Sequence, residues 1–286
     1  MRILLQVTTP YAADDWNVNR FGLLRAEMAN AATVTARNRE PVSGGSDPLL
    51  LALPESDYDQ IWIMGVDAGN GLTTAECAAI SRFRATGGGV FSTRDHMDLG
   101  SSLCELGGIG AAHYFHSTNP EPNVENRVND DAFTTTIGWP NYHSGANGDV
   151  QLVTAADPTH PVLRRREGRT GTIDRLPAHP HEGSVGAPPF DETARVVVTG
   201  RSKVSGRAFN IAVAVDPPAG SPHGRGWAES TFHHFCDYNW DVSLGCPSFV
   251  SEPPSDAIAK APALLDDTKD YVRNLIEWLG PRQPRP

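Results

Sequence analysis

Residues 3–7, Ile3-Leu4-Leu5-Gln6-Val7, form an almost unbroken apolar run that ends at Thr8-Thr9-Pro10. Successive side chains of a strand point to opposite faces, so such a run predicts a strand covered on both sides. Residues 21–32, rich in Leu, Ala, Met and Glu, predict a helix, and residues 33–36 a second strand. Residues 38–56 carry Pro41, Gly44, Gly45, Pro48 and Pro54, which predicts a loop with one apolar turn over 49–53. Residues 59–65, Asp-Gln-Ile-Trp-Ile-Met-Gly, predict the third strand. Thr73-Thr74-Ala75-Glu76 has the spacing of a capping box, and Cys77, Ile80 and Phe83 follow at helical intervals. Gly87-Gly88-Gly89 closes that helix, residues 90–93 predict the fourth strand, and residues 99–106 a further helix. Strands that alternate with helices in this way predict a doubly wound, mostly parallel α/β sheet with helices on both faces.

The alternation stops at Gly107. Residues 107–148 are rich in Asn, Pro, Gly, His and Tyr, and a loop-rich insertion of this length in a compact domain predicts a lid. Its aromatics Tyr114, Phe115, Trp139 and Tyr142 argue that the lid is folded. Residues 149–153 and 194–200 predict strands, and residues 208–215 pair with the latter as an antiparallel extension of the sheet. Residues 227–235 predict a last strand and residues 256–279 a terminal helix. With no internal repeat and no long linker, the chain is expected to be one domain over 1–286.

The formal net charge of −10 argues against a nucleic-acid partner, and Arg164-Arg165-Arg166 is expected to be a solvated patch. No window approaches a membrane span, and the first apolar run is too short for a secretory signal. Cys77, Cys104, Cys236 and Cys246 show neither zinc-ribbon spacing nor a disulfide framework. Reduced thiols in a cytoplasmic protein are expected, with a Cys236–Cys246 disulfide left open.

Three groups carry candidate chemistry. The first is Arg94-Asp95-His96-Met97-Asp98, four ionisable residues at the turn after the fourth strand, where open α/β sheets bind ligands. The second is His179-Pro180-His181-Glu182, where the proline imposes an extended backbone and sends both imidazoles to one side. The third is His233-His234, of which a regular strand aims only one at a site. Imidazoles and carboxylates suit Zn²⁺, Fe²⁺ or Mn²⁺, and His96, His181 and His233 are the ligands expected of a metal. A metal-free alternative uses Asp95, His96, His233, His234 and Glu182 as an acid–base group. Arg94, Asp98, His181, Tyr114 and Asn239 are the expected substrate contacts, with Arg94 holding a carboxylate through its fork of donors. Cys236 in an aromatic segment reads as packing.

The chain resembles the class I glutamine amidotransferase-like superfamily, and within it the ThuA-like branch that lacks the nucleophile. The likeness rests on Tyr58 to Gly65, on Leu72-Thr73-Thr74-Ala75-Glu76, on Gly87-Gly88-Gly89-Val90 leading to Asp95-His96, and on His233-His234. It covers about residues 1–106 and 190–280 and implies a flavodoxin-like fold. True members place a cysteine in the turn after the glycine-led strand and pair it with a late His-x-Glu. Here the turn reads Thr93-Arg94-Asp95-His96-Met97 and the late segment Thr231-Phe232-His233-His234-Phe235, so glutamine hydrolysis through a thioester is not expected. The expectation from the residues is an enzyme that acts on a small polar, carboxylated molecule; the resemblance adds a sugar-like substrate and implies that a late histidine approaches the turn at Asp95. A non-catalytic ligand-binding or assembly domain is the alternative, and self-association is left open.

Overall fold

In a computed structural model that describes residues 1–281, the apolar runs of the first hundred residues become strands of one sheet. They are β1 (Arg2–Val7), β2 (Thr33–Asn38), β3 (Gln60–Met64) and β4 (Gly89–Thr93). The rest of the chain adds β5 (His113–Tyr114), β6 (Val150–Leu152), β7 (Thr154–Ala155), β8 (Arg175–Pro177), β9 (Ser184–Val185), β10 (Ala194–Arg201), β11 (Ala208–Val215) and β12 (Gly226–Glu229). The main sheet runs β2-β1-β3-β4-β12-β11-β10-β7. Its first five strands are parallel and the last three antiparallel. Two small sheets, β5 with β9 and β6 with β8, stand apart from it. The fold is therefore the expected α/β sheet with an antiparallel extension.

Period-two alternation divides the interior into two cores. Ile3, Leu5 and Val7 of β1 join Trp62, Phe91 and Trp227 beneath α1 (Gly22–Ala29) and α6 (Asp266–Leu279). Leu4, Ile61, Ile63 and Val90 face the other way, onto α2 (Pro48–Leu51) and α3 (Thr74–Ala85). The capping box forms: Thr73 accepts the Glu76 backbone N–H, and Glu76 accepts that of Thr73.

The structure redraws several elements. The helix expected over 99–106 is one 3-10 turn, Ser101–Glu105. The strand expected over 227–235 ends at Glu229. Thr231 then caps a 3-10 turn, Phe232–His234, that leads into α4 (Asp237–Trp240). Pro262 lacks the N–H that a continuous helix over 256–279 would need, and α5 (Ala257–Lys260) stops before it. The 149–153 strand pairs with β8 outside the main sheet. The Arg164–Arg166 patch is only partly solvated: Arg164 is exposed, but Arg165 with Arg169 grips Asp267 of α6, and Arg166 reaches Asn274. All four cysteines are free thiols, so no Cys236–Cys246 bond forms. Among the described residues no helix is long and apolar enough to cross a membrane.

Candidate metal centre

β4 and β12 are parallel neighbours with Thr93 opposite Glu229, so Asp95 and Thr231 lie two residues further along adjacent chains. There the Thr231 hydroxyl donates to Asp95 Oδ1 at 2.8 Å, while its oxygen accepts the His233 N–H at 3.1 Å. The same short cap that ends the strand thus carries His233 Nε2 to 3.7 Å from Asp95 Oδ2. The turn after β4 is tight: Met97 has φ 46°, a left-handed value that a side chain adopts only under constraint.

The 179–185 segment crosses this turn from above. A Cβ on Gly183 would stand 2.5 Å from the Asp95 carbonyl oxygen and 2.7 Å from Arg94 Nε, so only glycine allows the approach. His179 arrives with Nε2 at 3.4 Å from Asp95 Oδ1, its ring stacked on that of His233 at 3.5 Å and 8°. Asp95, His179 and His233 are all buried, and their ligand atoms lie within 4.8 Å of one another.

The far side of each ring decides what the near side presents. His233 Nδ1 lies 2.9 Å from Asn239 Oδ1, and His179 Nδ1 2.9 Å from Asn147 Oδ1. Asn239 Nδ2 donates both to the Ala178 carbonyl at 2.7 Å and to Asn147 Oδ1 at 3.0 Å. Those donations fix Asn239 Oδ1 and Asn147 Oδ1 as acceptors, so each Nδ1 carries the proton and each Nε2 a lone pair. His179 Nε2 makes no hydrogen bond.

Charge follows the same geometry. Burial opposes ionisation of Asp95, but attraction to the protonated forms of His179, His96 and His233 outweighs it, so the carboxyl lies well below the usual carboxylate range. Burial pushes His179 down to about 4 against the pull of Asp95. Burial, and then His179, keep His233 well below its ordinary value. One carboxylate and two neutral imidazoles result.

A cavity of about 220 Å³ opens beside them. It is walled by Trp16, Val66, Leu99, Ile137 and Phe249, with Asp15, His96, His181 and Glu252 as the polar groups. His96 Nδ1 is 3.0 Å from Asp95 Oδ2, and its side chain is 20% exposed, against 5% or less for the three residues behind it. His181 also faces the cavity, but it is bound at both nitrogens, to Asn141 Oδ1 at 3.1 Å and Glu252 Oε1 at 3.0 Å. That hydrogen bond from His181 holds Glu252 at about 2.

The other expected site residues lie elsewhere. Arg94 is fully buried over the Phe115 ring and donates to the carbonyls of Tyr114, Met97 and Ser184. It pins three loops together and cannot hold a substrate carboxylate. Asp98 accepts the backbone N–H and hydroxyl of Ser117. Tyr114 packs against Gly186, and Asn239 orients His233 from behind. His234 and Glu182 sit in a sealed network outside the cavity. His234 Nδ1 is 2.9 Å from Glu229 Oε1 and Nε2 is 3.5 Å from Glu182 Oε2. Burial opposes charge there, but Glu182 and Glu229 outweigh it and hold His234 at about 9.

Reasoning from sequence left His179 out of the ligand set and missed Asn147, Trp16 and Glu252 altogether. His179 had a signal in the His-Pro-His spacing; the other three lie in irregular segments with no pattern to mark them.

No family model matches the sequence, and no curated protein matches it. Solved structures do. A ThuA-like protein from Parabacteroides merdae has a TM-score of 0.50 at 14% identity, over 100% of this chain and 92% of that one. The glutaminase domain of Trypanosoma brucei CTPS with bound acivicin follows at 0.49 and 14%, over 100% and 96%. A cytoplasmic protein from Salmonella typhimurium reaches 0.48 at 10%, over 99% and 100%. At these identities the likeness to the ThuA-like protein is one of fold alone.

Proposed function

We propose that the chain is an enzyme that holds a divalent cation between Asp95, His179 and His233 and acts on a small polar molecule in the adjoining cavity. The observation that carries this is the inward face of the three residues. Two Nε2 lone pairs and an ionised carboxylate converge with no proton among them, an arrangement that repels itself until a cation lies at its centre. Two imidazoles and one carboxylate suit Zn²⁺, Fe²⁺ or Mn²⁺, and all three residues that would hold the ion border the cavity. A cation there, when bound, acidifies a water or polarises an oxygen of the substrate.

The chain's own groups supply the rest. Thr231 holds one oxygen of Asp95, and Asn147 and Asn239 hold the rings, so the donors are pre-oriented. His96 is the most exposed of the imidazoles that meet Asp95 and it faces the cavity, which suits it to accept or deliver the proton. Among the described residues no Lys or Arg lines the cavity, while Asp15 and Glu252 do, which favours a neutral or cationic substrate over a carboxylate. Glutamine hydrolysis has no nucleophile: the turn holds no thiol, and burial pushes the Cys236 thiol up.

Elemental analysis after reconstitution with each of the three metals tests this. Wild-type protein is expected to retain about one equivalent, and Asp95→Asn and His233→Ala to lose it at an unchanged melting temperature. Wild-type protein that retains none, or variants that retain as much, would sink the proposal.

A further inference from the structure

The carboxyl ends of β4 and β12 carry the candidate centre; the opposite ends of the same strands border a different pocket. It measures about 410 Å³ and lies among Ser81, Arg84, Gly108, Asp191, Ser221 and His223. Arg84, near the end of α3, is 9% exposed. Its Nε is buried without a hydrogen-bond partner, and among the described residues its guanidinium forms no ion pair. The other two buried arginines are held, Arg39 by Glu76 and Arg94 by three carbonyls through its Nη atoms, although Arg94 Nε is likewise without a partner. Of the three, Arg84 is the one whose side chain makes no hydrogen bond among the described residues.

The surrounding backbone is shaped to this side chain. A Cβ at Gly108, where φ is +79°, would stand 2.5 Å from Arg84 Nη1, and one at Gly226 would stand 3.4 Å from Nε. Gly108 therefore lets its loop close over a charged group that it does not satisfy, and Gly226 of β12 leaves room for the same side chain. Asp191 borders the pocket, with its Oδ1 occupied by the N–H and hydroxyl of Thr193 at 2.9 and 2.6 Å. Burial lowers the Arg84 pKa and Asp191 opposes that, which still leaves a cation at neutral pH.

We propose that this pocket binds the carboxylate of a small organic acid through the guanidinium of Arg84. A planar fork of donors matches a carboxylate in two parallel hydrogen bonds. One fixed cation beside Asp191, in a chain of net charge −10, favours a monoanion over a phosphate dianion. A buried guanidinium without an acceptor is costly, and a bound carboxylate removes that cost. The site is independent of the cation proposed between Asp95, His179 and His233.

The test is calorimetric titration of Asp95→Asn protein with sodium acetate and with sodium phosphate, at ionic strength held constant with sodium chloride. That background removes acetate binding to a metal at the other site. Saturable acetate binding is expected, at least tenfold weaker when Arg84→Gln is added. Acetate is also expected to raise the melting temperature only where Arg84 is present. Should R84Q not fold, Arg84→Lys keeps the charge but loses the fork and is expected to weaken acetate binding. No saturable acetate binding, or binding unchanged by either substitution, overturns the site. Phosphate binding more tightly than acetate overturns the assignment to a carboxylate.

Discussion

His233 and His234 are consecutive residues that enter two clusters of the same residue types and do opposite work. His233 joins one carboxylate and a second imidazole, beside a cavity, and its Nε2 faces Asp95 with nothing between. His234 lies between two carboxylates, fully buried, where Ser230 and Gln151 donate to the two oxygens of Glu182, and Tyr271 and Trp227 donate to the second oxygen of Glu229. Around His234 every carboxylate oxygen accepts a hydrogen bond, whereas His179 Nε2, beside His233, makes none. Residue type alone separates neither; what separates them is whether the polar groups are already satisfied and whether a ligand can reach them.

The largest effect expected from this contrast is on stability. His234→Ala leaves Glu182 and Glu229 buried without the cation between them, and loss of one partner of such a group costs about 3–5 kcal/mol. His233→Ala is expected to change denaturant unfolding far less, because Asp95 keeps Thr231 and His96 as neighbours. Equal losses in urea titrations would break the comparison and make both histidines structural.

How much of this was legible beforehand depends on what each feature rests on. The parallel strands were readable because burial on both faces demands unbroken apolar runs such as Ile61-Trp62-Ile63-Met64. The end of β12 was harder: Phe232 and Phe235 extend the apolar pattern past Glu229, although Ser230-Thr231 is a capping signal in hindsight. The pairing of the Asp95 turn with the late histidines came from the resemblance to the amidotransferase-like superfamily, since no pattern in the residues themselves brings the two together. Which of two adjacent histidines turns inward depends on a 3-10 turn that no periodicity announces. Asn147 lies outside any regular element, and its role exists only through contact with His179 across 32 residues.

Asn147 gives the next effect in size. Asn147→Ala removes the acceptor that keeps the His179 proton on Nδ1, and loss of such a supporting hydrogen bond weakens metal affinity about 10–100-fold. Asn147→Asp retains an acceptor oxygen and is expected to recover most of that loss in a competitive chelator titration. If Ala and Asp behave alike, orientation of the ring does not depend on this amide, and the bare Nε2 of His179 has another origin.

A third buried histidine sharpens the comparison because it belongs to neither cluster. His160 packs between the rings of Trp227 and Trp278, at 5.5 and 5.1 Å, with Nε2 unpartnered and Nδ1 accepting the Val162 N–H. Burial lowers it to about 4, so it stays neutral in the fold at pH values where the unfolded chain is protonated. The unfolded state then binds more protons, and stability falls as pH drops from about 6.5 to about 4, by about 1.4 kcal/mol per pH unit for one proton. His160→Asn retains a residue suited to cap the turn but does not titrate. In urea unfolding measured across that range, the variant is expected to lose this one-proton share of the acid slope. An unchanged slope would place the proton uptake elsewhere, and burial alone would then not suffice to keep an imidazole neutral in this fold, as the reading of His179 requires.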